Sequence, residues 1–386
     1  MLSGQQKGQQ IGPKKEIPSP FLKLGPAYEQ CFPEWRITDG LEGDIFILAE
    51  GVGAMKMNNP RSLKMILVLI RLEDRHLDAI RTAAPGAQII VLSDPKEMAG
   101  KLGSFLPDVE VILANPYRDR TMLTEILSAP RLRWIQQRSA GANWLMDYPR
   151  VAESDLIVTN ASGIHAIPIS EHILALMFCL ARDVQRSIRD QVERRWNRIH
   201  RVAELDGQTM GLIGLGAVGE KTAEKAKALN MRVLGVRRHP GRSTIGVDQI
   251  YGPENLLEVL PQADWVVITA PLTPETKGMI GERELKALKK SAYIINISRG
   301  SIIQEQALVK ALQEKRIAGA GLDVFEQEPL PASSPLWDME NVIITAHYAG
   351  GTPHYLDRLM EIFLENLRRY QAGTPLINTV DKRLGY

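Results

Sequence analysis

The chain has 386 residues, 44% hydrophobic and 24% charged, a balance that excludes wholesale disorder and a length that suits two or three domains. Forty-seven Lys and Arg against 45 Asp and Glu leave a net charge of +2, so no basic excess exists to grip a nucleic acid. Two cysteines, Cys31 and Cys179, exclude a cysteine-based metal cluster and fit a reducing, cytoplasmic setting; no apolar run approaches the roughly 18 residues of a membrane helix.

Residues 1–62 start with a Gln-, Gly-, Pro- and Lys-rich stretch and read as a disordered N-terminal extension. They lack the apolar centre of a secretory signal, and the first Arg is Arg36. The apolar patch 44–49 reads as a strand or a docking segment, and Met57 and Met65 offer alternative starts. From residue 63 the texture changes. Apolar runs at 64–70, 89–92, 109–114, 133–136 and 156–158 predict strands, with helices between them. Residues 166–196 predict one long helix. Further strands are expected at 209–213, 231–236, 264–269, 292–297, 318–322 and 341–345. Helices are expected at 217–229, 253–260, 282–289, 304–315 and 353–371. This alternation predicts an α/β protein built from two doubly wound parallel-sheet units in tandem.

The strand at 209–213 runs into Gly214-Leu215-Gly216-Ala217-Val218-Gly219 and then a helix. A GxGxxG between strand and helix is the context a dinucleotide requires. The first glycine permits the turn, the second admits the pyrophosphate and the third allows helix to pack on strand. Ala217 and Val218 open the helix whose N–H groups face the phosphates. NAD-preferring sites place an acid after the next strand. Here Arg237 and Arg238 follow it, and no acid occurs before Asp248. Guanidinium groups hold a 2′-phosphate, so NADP(H) is expected over NAD(H), with NAD(H) as the lesser cofactor.

Arg299, Glu328 and His347 stand just beyond strands of the second unit, where ligands of doubly wound sheets collect. Reduction of a 2-oxo acid requires a guanidinium for the carboxylate and ketone, a proton donor and a carboxylate to orient it. The three residues match these needs, although each alone has an ordinary structural explanation.

The series GLGAVG, PLTPETKGMI, NISRGSII, AGAGLDVFEQEPLP and NVIITAHYAGGTP resembles the D-isomer-specific 2-hydroxyacid dehydrogenases, across about residues 63–375. This family includes glyoxylate/hydroxypyruvate reductases, and the NADP-preferring members are closest in type. The resemblance implies catalytic roles for Arg299, Glu328 and His347. It implies a Rossmann cofactor domain (161–346) inserted in a flavodoxin-like substrate domain made of 63–160 and the C-terminal return 347–386. Ser139-Ala140-Gly141-Ala142-Asn143 resembles the loop whose backbone amides bind the substrate carboxylate, with Ala140 and Gly141 as contacts. Ala270, Pro271 and Thr276 resemble the loop flanking the cofactor, Ile297 and Ser298 its nicotinamide pocket, and Asp323 a residue near the carboxamide. Ala270 replaces a His that many members carry, and Tyr348 replaces a small aliphatic residue. The family implies a homodimer formed through the cofactor domain, with Trp196 near the partner's cleft, and no metal. The expected reaction is NADPH-dependent reduction of a glyoxylate- or hydroxypyruvate-like acid to the D-2-hydroxy acid. The alternatives are another 2-hydroxy acid, or a dinucleotide-sensing corepressor on the same scaffold. An intact Arg–Glu–His set disfavours the sensor, because binding alone requires no proton relay; it also disfavours formate oxidation, which supplies no substrate proton.

Overall fold

The computed structural model describes residues 35–39, 45–49, 52–56, 62–115, 120–198, 202–241 and 243–383. The chain divides after Arg61 into two units. In the first, strands β1 (Trp35–Asp39), β2 (Ile45–Ala49) and β3 (Val52–Lys56) pair antiparallel in the order β1-β2-β3. The expectation of disorder across 1–62 is corrected over these strands. Ile45, Phe46 and Ile47 favour extended backbone, and pairing with strands on both sides satisfies the polar groups of β2. Cys31 lies outside the described residues.

The second unit holds two parallel sheets. The first has β4 (Met65–Val68), β5 (Gln88–Val91), β6 (Val111–Ala114), β7 (Trp134–Gln137) and β8 (Ile157–Thr159), in the order β5-β4-β6-β7-β8. The second has β9 (Thr209–Ile213), β10 (Arg232–Val236), β11 (Gln249–Tyr251), β12 (Trp265–Ile268), β13 (Tyr293–Asn296), β14 (Gly319–Leu322) and β15 (Val342–Ile344). Its order is β11-β10-β9-β12-β13-β14-β15. These are the flavodoxin-like and Rossmann orders, and each reverses direction once. The continuous apolar runs become central strands: β4, β6, β7, β12 and β14 are buried throughout. The sequence reading misses β11, a three-residue edge strand whose Gln249 is exposed.

The C-terminal helix Tyr355–Ala372 closes the first sheet. Leu359, Met360, Phe363, Leu367 and Tyr370 bury themselves among Ile66, Val68, Val111 and Trp134. The Trp134 ring lies 5.3 Å from Phe363 and 5.7 Å from Tyr370, and its Nε1 donates to Thr159 at 2.8 Å. A partner for the indole N–H is what makes so large a residue tolerable at full burial. Truncating Phe363 to Ala would cost roughly 3–5 kcal/mol.

The long helix expected over 166–196 is two. Ala166–Ala181 ends at Arg182, and Val184–Val192 follows an Asp183 held at φ 54° and ψ 36°. A short polar side chain tolerates that left-handed conformation, which no helix continues through. The first helix packs Ile173, Leu176, Met177 and Leu180 against the second sheet. The helix expected at 253–260 shortens to Leu256–Val259 between two tighter turns, Pro253–Asn255 and Leu260–Gln262. Among the described residues no helix is long and apolar enough to cross a membrane.

Candidate active site

The glycine-rich turn stands at the carboxyl end of β9, beside β12, where the strand order reverses. Gly214 takes φ 102°, and a Cβ there would meet the Ala270 nitrogen at 2.5 Å. Only glycine lets the turn after β9 touch the turn after β12. A Cβ on Gly219 would lie 2.1 Å from the Gly214 oxygen, so the helix Ala217–Ala228 also starts against the turn. Gly216 differs: a Cβ there has nothing within 4 Å, and the residue is exposed. The close approaches are internal at the first and third glycines, and the open position is the second. This is the cradle a pyrophosphate needs at the first N–H groups of a helix. Ala217 and Val218 form the first turn of that helix.

Thr269 fastens the same junction, its hydroxyl donating to the Gly214 carbonyl at 2.7 Å. Ser298, beyond β13, donates to the Ala270 carbonyl, and Ile297 is buried beneath it. Pro271 and Thr276 belong to one turn: the Thr276 hydroxyl donates to the Pro271 carbonyl and accepts from the Thr273 N–H, each at 2.7 Å. Thr276 therefore shapes the loop in this structure. Arg237 donates to Thr244 at 3.2 Å, and Arg238 reaches Glu275 at 3.4 Å. The nearest downstream acid, Asp248, is turned away: it accepts from the Val233 N–H at 2.7 Å and pairs with Lys227 at 2.9 Å. The Val233 N–H is the main reason its carboxyl sits below the usual range.

Arg299, Glu328 and His347 come together at the carboxyl ends of β13, β14 and β15. His347 Nδ1 lies 2.6 Å from Glu328 Oε2, and Glu328 Oε1 accepts from the Phe325 N–H at 3.0 Å. Burial pushes the Glu328 carboxyl up. The His347 hydrogen bond, the Phe325 N–H and the charges of His347 and Arg299 outweigh it and hold the group below its ordinary range. Gly300 makes the approach of these loops feasible, because a Cβ would lie 1.9 Å from the Phe325 carbonyl carbon. Arg299 is exposed and donates to its neighbour Ser298 at 2.7 Å.

Several supporting residues escaped the sequence reading. Asn296 is 1% exposed; it accepts from the Ser298 N–H and donates to the Arg299 carbonyl, each at 3.1 Å, fixing the Arg299 turn. A polar residue closing an apolar strand was the available signal. Asp323, also buried, has partners within the chain itself. Its carboxylate accepts from Thr345 at 2.6 Å and from the Tyr348 and Ala349 N–H groups at 3.1 Å, and its carbonyl accepts from the His347 N–H at 2.9 Å. His172, half-buried on the helix Ala166–Ala181, meets Thr345 at 3.0 Å. Thr345 gives its proton to Asp323, so it accepts from His172 Nε2. Tyr348 is exposed, its ring edge-on to His172 at 5.3 Å.

Ala140 and Gly141 lie beyond β7 in the first sheet. Their turn belongs to the first sheet, whereas Arg299, Glu328 and His347 follow strands of the second. No group of His, Cys, Asp and Glu suited to a metal occurs among the described residues.

The sequence pattern of the D-isomer-specific 2-hydroxyacid dehydrogenase NAD-binding domain matches residues 174–349. A glyoxylate reductase of Korarchaeum cryptofilum is 36% identical over 265 residues, covering 67% of this chain and 78% of that one. The chain is a D-isomer-specific 2-hydroxyacid dehydrogenase. Solved dehydrogenases share its fold. One from Xanthobacter autotrophicus, in complex with NADPH and MES, is 29% identical with a TM-score of 0.69, covering 84% of this chain and 100% of that one. The NADPH-dependent glyoxylate/hydroxypyruvate reductase of Sinorhizobium meliloti, in complex with NADP and sulfate, is 25% identical with a TM-score of 0.69 and the same coverage. This dehydrogenase is thus an NAD(P)-dependent oxidoreductase of 2-hydroxy and 2-oxo acids, with a Rossmann-type cofactor domain.

Proposed function

We propose that this dehydrogenase reduces a small glyoxylate- or hydroxypyruvate-like 2-oxo acid to the D-2-hydroxy acid with NADPH, in the cytoplasm. The observation that carries the reading is the 2.6 Å pair of His347 and Glu328 beside Arg299. NADPH, when bound, supplies the hydride. Arg299 holds the substrate carboxylate and polarises the ketone. His347 delivers the proton from Nε2, because Nδ1 faces Glu328. Glu328 fixes the ring through Nδ1.

The residues fit NADPH. Gly214, Gly216, Ala217, Val218 and Gly219 would hold the pyrophosphate, and Ala270, Pro271, Thr276, Ile297, Ser298 and Asp323 would flank the nicotinamide half. Arg237 and Arg238 would hold the 2′-phosphate. Asp248, engaged by Val233 and Lys227, does not oppose it. Names of similar proteins point the same way: glyoxylate reductase for a sequence relative and NADPH in a structural neighbour. In this reading residues 63–160 and 347–386 form the substrate domain and 161–346 the cofactor domain.

The helix Val184–Val192 exposes Val184, Ile188 and Val192 at a spacing of four, and Trp196 beyond it is 96% exposed. One turn of helix separates each, so the three valine and isoleucine side chains share a face. Such a stripe suits a second copy of the chain, which makes a homodimer part of the proposal. Steady-state kinetics over a panel of 2-oxo acids, with each nicotinamide cofactor, tests the function. Activity on the small acids with NADPH supports it, and activity confined to NADH or to bulky acids overturns it.

A further inference from the structure

The turn 139–142 presents one side of its backbone inward and the other outward, and side chains outside the turn decide which. Gln137, fully buried at the end of β7, donates from Nε2 to the carbonyls of Ser139 at 2.9 Å and Gly141 at 2.7 Å. Asn160, beyond β8, donates to the Ala140 carbonyl at 2.9 Å. The Leu145 N–H donates to the Ala142 carbonyl at 3.0 Å, and the Ala161 N–H adds a second bond to Ser139 at 3.0 Å. All four carbonyls of the turn are thus drawn inward. A trans peptide points its N–H opposite to its carbonyl, so the Ala140 and Ala142 N–H groups are aimed away from Gln137 and the Gly141 N–H away from Asn160. Consecutive N–H groups turned to one side form an anion seat.

Gln137 is itself fixed. Trp144 Nε1, buried, donates to Gln137 Oε1 at 2.8 Å. Both amide hydrogens and the amide oxygen are therefore used, and the indole decides which end of the amide faces the turn. Were the amide reversed, oxygen would face two carbonyls and the indole N–H would face an NH2 group. A second observation points to a ligand at the same place. The Ser139 hydroxyl is buried and has no hydrogen-bond partner among the described residues.

We propose that Gln137, locked by Trp144 and assisted by Asn160, is a positioning residue for the substrate carboxylate. It acts by holding the 139–142 turn with its N–H edge toward the anion before substrate arrives. This rests on the reading that the turn receives the carboxylate of a 2-oxo acid. Gln137 touches neither substrate nor cofactor in this account. Its effect is on binding rather than on proton or hydride transfer.

The test uses Gln137→Met, which keeps length and removes both donors, and Trp144→Phe, which leaves Gln137 in place but frees its amide to rotate. Glyoxylate turnover with NADPH gives KM and kcat. Binding of oxamate, an unreactive carboxylate, to the NADPH-loaded protein is measured by calorimetry. Gln137→Met is expected to raise the glyoxylate KM and the oxamate Kd together by about 10-fold, as partial loss of a hydrogen bond to a charged group does. Its kcat and its KM for NADPH stay near wild type. Trp144→Phe shifts the same two constants by a smaller factor, and remains as the readout if Gln137→Met does not fold. A wild-type glyoxylate KM and oxamate Kd in both folded variants overturns the proposal alone. So does a fall in kcat or NADPH affinity as large as the change in KM. A wild-type protein that neither reduces 2-oxo acids nor binds oxamate overturns the proposal and the functional reading beneath it.

Discussion

His347 Nδ1 lies 2.6 Å from Glu328 Oε2, and the His347 backbone is held at φ 52°, a left-handed conformation unusual for any residue but glycine. Asp323 holds it there through the His347, Tyr348 and Ala349 N–H groups. The imidazole is therefore aimed twice, by its own ring partner and by the loop that carries it.

That arrangement sets how well the proton is delivered in reduction. His347→Ala should lower kcat by about 10²–10⁴-fold, the usual loss for a general acid. Glu328 is held below its ordinary value of 4.5, so it stays a carboxylate across neutral pH and holds the imidazole through Nδ1. Glu328→Gln removes that carboxylate, and kcat should fall with little change in the KM for NADPH. Steady-state kinetics of the two proteins decide, and an unchanged kcat would remove Glu328 from its assigned role.

The glycine turn separates binding from folding. Gly216→Ala meets no atom within 4 Å, so its stability should stay within about 0.5 kcal/mol of wild type while the KM for NADPH rises. Gly219→Ala puts a carbon 2.1 Å from a backbone oxygen and should cost on the order of 1–3 kcal/mol or more. Thermal melts beside cofactor titrations distinguish the two, and equal melting losses would contradict the division of roles.

Arg238 should discriminate between cofactors. Its substitution by Ala is expected to raise the KM for NADPH by about 10-fold, as loss of a charge-assisted contact to phosphate does, and to leave NADH kinetics unchanged. Kinetics with both cofactors check this, and a parallel loss for NADH would place the arginine elsewhere in the site.

Two histidines tie stability to pH. Burial pushes His165 and His172 below the ordinary 6.5; at His165 the bond to Gly350 opposes this and Arg358 adds to it, and at His172 Asp323 opposes it. The unfolded chain binds these protons more readily than the folded one. Their contribution is present above about pH 6.5 and is lost as pH falls toward the lower folded values. Melting temperature should thus drop between pH 7 and mildly acidic pH, and His172→Gln should flatten part of that slope. A melting temperature that rises over this interval would contradict the assignment.

The sequence revealed the sheets because central parallel strands are buried on both faces and so read as unbroken apolar runs. β11 was hidden, since a three-residue edge strand with Gln249 exposed carries no such run. The helix break at Asp183 was hidden because apolar spacing continues across it, through Val184, Ile188 and Val192. The groups proposed to touch reactants were legible, as glycines, Arg299, Glu328 and His347 occupy positions where strands end. Their supports were not. Thr345 and its acceptor Asp323 lie 22 residues apart beyond separate strands, which only folding brings close; Asn296 and Gln137 bond backbone groups only two to four residues on, and that depends on turn geometry the residue types do not announce.

The most direct measurement is kcat/KM for glyoxylate and hydroxypyruvate, with NADPH and with NADH, together with the configuration of the chiral product. Efficient reduction with NADPH, weaker use of NADH, and a D-hydroxy acid from hydroxypyruvate are expected. Absence of 2-oxo acid reduction with either cofactor, or formation of the L-product, would contradict it.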